Sequence, residues 1–406
     1  MLKSQIVPNQ SAFERKVLIW MCLLIGVNQL GFGAIIPVLP LYANEFGVSQ
    51  AAIGMTVAVY GLARLLSGLP AGKLADLLGR RSVLTVGGVL SAAGNFWCAY
   101  ADSFFELIIA RFIAGFGAGL TLTAGMIILA DITSVARRGR VMAIYQGVFL
   151  FAVGIGPFPG GYLAETYGLA VPFTAYGAAS GIAAILGWFC VKETRDLAMA
   201  ELPRENAVVP FKHQLNEVLK PIGFRLVSSI GFMNAVIRTG GLFAIVPIIG
   251  VTRLGLAASE IGFCMAIGSI AGLLVTYPAG VLVDRMGRKP VIVPATIAVS
   301  VAFIIFAFAQ DFAWFMFATV IWGISSAISG AAPSAYAADI SPKARGAAAM
   351  STYRTIADAG YVVGPIVLGV LADEYGLSVP LFLSSALLAG VALAFARYAP
   401  ETRVKN

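Results

Sequence analysis

The sequence predicts an all-α integral membrane protein: twelve transmembrane helices built as two parallel six-helix pseudo-repeats around a central cavity. Three observations carry that expectation. The 406 residues are 59% hydrophobic and only 12% charged, roughly half the charged share of a soluble domain. Apolar runs long enough to span a bilayer recur along the whole chain. Short motifs of the first half return in the second at one fixed offset.

A spanning helix needs roughly 20 mostly apolar residues. Such runs begin near Val17, Ala52, Ser82, Phe104, Val141, Pro172, Pro221, Ser259, Val291, Phe312, Ala347 and Pro380. The first, behind Lys3, Glu14, Arg15 and Lys16, shows no small-residue cleavage site after a short apolar core, so it reads as a spanning helix. Connections are short except for one charged segment carrying Glu193, Arg195, Asp196, Glu201, Arg204, Glu205, Lys212 and Glu217. The expected organisation is therefore an N-terminal bundle over 1–191, a cytoplasmic linker over 192–220 and a C-terminal bundle over 221–406.

The repeat runs without a gap at 208 positions. Pro70-Ala71-Gly72 returns as Pro278-Ala279-Gly280, Asp76 as Asp284, Gly79-Arg80 as Gly287-Arg288, and Ala130-Asp131-Ile132 as Ala338-Asp339-Ile340. Gly156-Pro157 returns as Gly364-Pro365, Tyr167-Gly168-Leu169 as Tyr375-Gly376-Leu377, and Glu193-Thr194-Arg195 as Glu401-Thr402-Arg403. An even number of spans per half gives both halves the same orientation, related by an axis along the membrane normal.

Charge placement sets the expected sidedness. About 23 of the 28 Lys and Arg fall in alternate loops and at the termini, about four are embedded, and Arg253 alone lies on the other side, the pattern that puts both termini in the cytoplasm. Glu45, Asp102, Glu165, Asp311, Asp373 and Glu374 occupy the opposite loops. The net charge of +8 is thus spread over loops, with no basic face of the kind that binds nucleic acid. Cys22, Cys98, Cys190 and Cys264 sit inside apolar runs without metal-site or disulfide spacing and read as packing thiols. The single histidine, His213, lies in the polar linker, which leaves no histidine base or metal ligand within the membrane. No metal or nucleophile–base pair is expected, and no phosphate-cradling loop for ATP. The chain reads as a carrier rather than an enzyme.

The loop after the second span, Gly72-Lys73-Leu74-Ala75-Asp76-Leu77-Leu78-Gly79-Arg80-Arg81, combines glycines that permit a tight turn, an acid suited to a helix N-terminus and an arginine able to bind a carboxylate. Gly280-Val281-Leu282-Val283-Asp284-Arg285-Met286-Gly287-Arg288-Lys289 is its second copy. Both resemble the signature loop of the major facilitator superfamily. Arg111 followed by Gly115, Gly117 and Gly119 in the fourth span is similar to that family's second motif. Gly147, Gly154, Gly156, Pro157, Gly160 and Gly161 in the fifth resemble the antiporter motif of its twelve-helix drug:proton antiporters, as does Pro37-Val38-Leu39-Pro40 after Gly31 and Gly33. The resemblance implies that Asp76 engages the start of the eleventh span and that Arg80 pairs with Asp131 to hold an outward-open state. It also implies proton-coupled antiport with the proton gradient as energy source and no bound cofactor. One departure stands out: where many multidrug members carry an acid in the first span, this chain has Asn28 and Gln29.

Five charges are expected inside spans: Arg64, Arg111, Arg238, Arg354 and Asp358. Each costs roughly 2.5–3.5 kcal/mol at a helix centre and therefore faces a cavity or a partner. Arg354 and Asp358, one turn apart, can pair, and Asp358 is the candidate proton carrier. Asn28, Gln29, Asn95, Gln146, Asn234 and Tyr353 are candidate neutral cavity groups, or ties between helices. Four arginines against one aspartate favour an anionic or zwitterionic solute. The expected function is proton-coupled export of a small amphiphilic or organic-anion solute by a monomer in the inner (plasma) membrane, with a uniporter or symporter of the same fold, or a lipid flippase, as alternatives.

Overall fold

The structure, a computed structural model, describes residues 10–133, 135–195, 217–340 and 346–402. Most of the expected linker, His213 included, lies outside the described residues, as does the side chain of Asp284. Among the described residues twelve helices are long and apolar enough to cross a membrane. The chain is an all-helical multi-pass membrane protein.

The first repeat comprises α1 (Gln10–Ile35), α2 (Leu39–Asn44), α3 (Gln50–Leu78), α4 (Arg80–Ala99), α5 (Phe104–Ile132), α6 (Val135–Ile155), α7 (Pro157–Tyr167) and α8 (Val171–Cys190). The second comprises α9 (Ile222–Val236), a π-helical stretch (Ile237–Ile245), α10 (Val246–Thr252), α11 (Ala258–Met286), α12 (Lys289–Phe308), α13 (Phe312–Ile340), α14 (Gly346–Tyr375) and α15 (Ser378–Tyr398). The first span of each repeat departs from regular α-helix, at different positions. In the first repeat Pro37, which lacks an N–H, accompanies a turn between α1 and α2. In the second, Thr239-Gly240-Gly241 falls within nine residues of π-helix, a rare form concentrated at functional sites.

The chain divides into two compact units that do not follow the two repeats. One holds Met1–Gly33, Leu62–Gly156 and Ala170–Glu205; the other holds Ala34–Gly61, Pro157–Leu169 and Asn206–Asn406. In the first unit Val17, Met21 and Leu24 of α1 pack with Val83 and Leu84 of α4 and Ile128 and Leu129 of α5. Close approach of α4 and α5 depends on small residues, because a Cβ at Gly94 would strike the backbone of Ala110 and Ala114. In the second unit Phe224 and Val227 of α9 pack with Ile292 of α12, Tyr336 of α13 and Phe395 of α15. Outward faces keep large apolar side chains exposed, such as Phe189, Leu274 and Leu393, which suits contact with hydrocarbon rather than water.

The second unit also shows why two segments of the first repeat belong with the second. Gly54 of α3 lies against the Pro365 carbonyl of α14, and Gly369 of α14 lies against Gln50 and Ala51. The same contact recurs 208 positions away, with Gly262 of α11 against the Pro157 carbonyl of α7 and Gly161 against Ala258. Phe158 and Phe263 meet edge to face beside it, 6.0 Å between centroids. Asp373, near the end of α14, caps α3: the Gln50 N–H donates to Oδ1 at 2.6 Å and the Ala51 N–H to Oδ2 at 2.9 Å.

Candidate functional site

Both signature loops prove to be turns of one or two residues. Gly79 (φ +95°) separates α3 from α4, and Gly287 (φ +101°) ends α11 just before α12. This left-handed region is open chiefly to glycine. The turn brings Arg80 back across the end of α3. Arg80 Nε donates to Asp131 Oδ2 at 3.0 Å and Nη1 to the Ala75 carbonyl at 2.9 Å. The Arg80 and Asp131 side chains are 8% and 9% exposed. Asp76 pairs with Arg80 Nη1 at 2.9 Å and is itself exposed. The second copy repeats the geometry, with Arg288 Nε to Asp339 Oδ2 at 3.0 Å and Nη1 to the Val283 carbonyl at 3.3 Å. It is wetter: Arg288 and Asp339 are 21% and 37% exposed.

Sequence reasoning missed the carboxylates that close these turns. Glu193, just past α8, accepts the Arg80 N–H at 2.9 Å and the Arg81 N–H at 3.2 Å at the N-terminus of α4. Glu401 likewise accepts the N–H groups of Arg288 and Lys289, each at 3.0 Å. Thr194 and Thr402 donate to Asp131 and Asp339, at 3.0 and 3.4 Å. The available signal was the return of Glu-Thr-Arg at the repeat offset. A carboxylate at a helix N-terminus satisfies orphan N–H groups and the helix dipole together. Partial burial would raise the Glu193 pKa, but the N–H groups of Arg80, Arg195, Arg81 and Thr194 outweigh it and hold the carboxyl below its ordinary range.

A depressed folded-state pKa stabilises above the ordinary carboxylate value and loses that contribution as the pH falls through the depressed one. Glu193→Gln is therefore expected to cost about 1 kcal/mol at neutral pH, as for a lost cap. The gap to the unsubstituted protein should close on acidification. Thermal unfolding in micelles from pH 7 to pH 3 checks this, and a gap that stays constant across the range would contradict it.

The antiporter-motif residues divide between the units. Gly147 is exposed with open space around it, Gly154 is half-buried, and Gly156-Pro157 forms the break between α6 and α7. Gly160 lies against the Ala34 backbone and Gly161 against Ala258. Gly72 and Gly280 have no neighbour that a Cβ would meet.

The embedded polar residues separate similarly. In the first unit Asn28 and Gln29 are 2% and 4% exposed, and Gln29 Nε2 donates to Asn28 Oδ1 at 3.0 Å. Arg64 is half-buried with its carbonyl bound by Ser67, Arg111 is 1% exposed, and Gln146 is exposed. In the second unit Asn234, Arg238 and Tyr353 come together on a cavity of about 170 Å³ that Trp322, Ser326 and Ser329 also line. Asn234 Nδ2 donates to Ser329 Oγ at 3.0 Å, and Ser329 and Thr296 exchange a hydroxyl bond at 3.3 Å. Arg238 sits on the π-helical stretch. The Arg354 and Asp358 side chains approach to 3.8 Å and are 63% and 30% exposed. Tyr353 and Ala357 line the cavity; Arg354 and Asp358 follow them directly on α14 and project from a neighbouring face.

Twelve spanning helices among the described residues, a sequence repeated at one offset, paired arginine turns and a cavity with polar lining in the second unit are those of a membrane transporter, not an enzyme. The chain belongs to the major facilitator superfamily, whose sequence profile matches residues 21–275 and 227–406. It is 26% identical over 355 residues to an uncharacterised MFS-type transporter of Methanocaldococcus jannaschii, covering 86% of this chain and 90% of the relative. It is 23% identical to the quinolone resistance protein NorA of Staphylococcus aureus, covering 93% and 95%. Among solved structures the fold matches the D-xylose-proton symporter with a TM-score of 0.75 at 18% identity, covering 97% of this chain and 99% of that one.

Proposed function

We propose that this protein is a proton-coupled carrier of the plasma membrane, with both termini cytoplasmic, that exports a small amphiphilic or organic-anion solute as a monomer by alternating access. The proton gradient is its energy source, and it holds no cofactor. The observation that carries the reading is the Arg354–Asp358 pair in the eleventh span. Of the described carboxylates, Asp358 lies nearest the middle of a span, one turn from Arg354, whose Nε approaches it to 3.8 Å. Export is supported by the antiporter-like glycines of α6 and α7 and by the likeness to NorA. Arg238, Arg354, Arg64 and Arg111 support an anionic cargo. Arg80 with Asp131, and Arg288 with Asp339, act in this reading as the ties that alternate access makes and breaks, with Asp76 beside the first and Asp284 as the corresponding residue of the second sequence motif.

The pair also favours a second reading. An anion drawn to Arg354 competes with the Asp358 carboxylate for the guanidinium, and a proton bound to Asp358 relieves that competition. Proton and anion would then bind together, as in symport. Proteoliposome transport with pH gradients imposed in both directions separates the two: antiport moves solute against the proton flow, symport with it. In either case Asp358→Asn is expected to abolish the dependence of transport on the pH gradient. Unchanged coupling in that variant would overturn the assignment.

A further inference from the structure

We infer that the cavity of the second repeat is a recognition site for an aromatic carboxylate, with Arg238 and Trp322 as its specificity-determining residues. This rests on the reading of the protein as a solute carrier and names the class of solute that this cavity takes.

The internal repeat separates what the fold requires from what a ligand requires. Positions 208 apart occupy the same place in each half, and residues needed only to build the bundle can be alike in both. Tyr353 corresponds to Tyr145, and Ser329 to Thr121. The other polar lining has no such counterpart: Asn234 corresponds to Gly26, Arg238 to Leu30 and Trp322 to Ala114. The same span positions are filled in the first repeat by small or apolar side chains, so the helix positions themselves demand neither a cation, an amide nor an indole. These three groups converge on one cavity, although they come from α9, the π-helical stretch and α13.

Their chemistry is complementary to one kind of molecule. Arg238 supplies a positive charge and a fork of donors suited to a carboxylate. No Asp or Glu is among the lining residues to favour a cation. Trp322 and Tyr353 offer ring faces and edges for aromatic contact, and the hydrogen-bonded Asn234 and Ser329 add neutral polar groups at the wall. The space of about 170 Å³ is large enough for an aromatic ring, since a cavity of about 150 Å³ accommodates benzene.

The test uses radiolabelled benzoate on the purified full-length protein in lipid nanodiscs, with no gradient present. Benzoate is expected to bind saturably. Benzylammonium and benzyl alcohol should compete at least tenfold more weakly. Arg238→Leu, which installs the residue of the first repeat, should weaken benzoate at least tenfold while leaving benzyl alcohol unchanged. Arg238→Lys should keep most of the affinity, which guards against a loss due to misfolding. Trp322→Ala should weaken benzoate and benzyl alcohol together. Competition by benzylammonium equal to that by benzoate, or undiminished benzoate binding in Arg238→Leu, would overturn the inference. Because binding is read without a gradient, failure of proton coupling leaves this result intact. Gradient-driven transport of other solutes with no benzoate binding would sink this inference alone.

Discussion

Arg80→Gln is expected to destabilise the protein by about 3–5 kcal/mol, the usual cost of leaving one member of a buried ion pair without its partner. Asp131 would remain 9% exposed and, among the described residues, would keep the Thr194 hydroxyl as its hydrogen-bond donor. Arg288→Gln, at the matching position of the second repeat, should cost about 1 kcal/mol, because its partner Asp339 is 37% exposed and water can replace the lost bond. Half-lives of unfolding in micelles at a fixed temperature compare the two. The double variant Arg80→Met with Asp131→Leu should recover much of the loss, since it removes the stranded charge. Equal losses in Arg80→Gln and Arg288→Gln would show that burial does not govern these turns.

Gly262→Val is expected to force α11 from α7, since a Cβ there falls within contact distance of the Pro157 carbonyl. Backbone cannot give way as a flexible side chain can. A β-branched residue therefore separates the helices or tilts one of them, and overpacking of this kind typically costs 1–3 kcal/mol. The readout is a crosslink. With cysteines replacing Phe158 and Phe263, whose rings lie 6.0 Å apart, oxidation should join the helices in an otherwise cysteine-free background. Adding Gly262→Val should reduce the crosslink at least tenfold, whereas Gly280→Val, with open space around it, should not change it. A crosslink that survives Gly262→Val would mean that this glycine does not set the approach. Gly54, its repeat partner against Pro365, makes the same demand on α3 and α14.

Helix number and repeat could be read from the sequence because both depend on composition along the chain. Apolar length sets a span, and a fixed offset sets a repeat. Where an apolar run and a helix differ, polar residues explain it. The fifth run begins near Val141, yet α6 begins at Val135, because a helix continues past the hydrocarbon through Arg137, Arg138 and Arg140. The Arg80–Asp131 bond was legible through resemblance. The Glu193 and Glu401 caps were not, since an acid beyond a span looks like any solvated charge until the turn at Gly79 or Gly287 brings a helix N-terminus to it. Facing was hidden for the same reason. Hydropathy cannot distinguish Arg238, on a cavity, from Arg111, packed to 1% exposure, or show that Asn28 and Gln29 bind one another. The grouping of Ala34–Gly61 with the second repeat depends on glycine contacts between residues some 300 positions apart, which no local pattern encodes.

Asp373 holds α3 by two main-chain N–H groups and touches no side chain of that helix through those bonds. The attachment is thus written in the gene at one codon only. Substitutions at Gln50 or Ala51, proline aside, leave the gripped atoms in place, so these two bonds do not depend on which side chains stand there. A change at position 373 releases both bonds at once. Among natural variants of this chain, position 50 should accordingly accept many residues while position 373 keeps a carboxylate, and an inherited loss of the grip should map to codon 373.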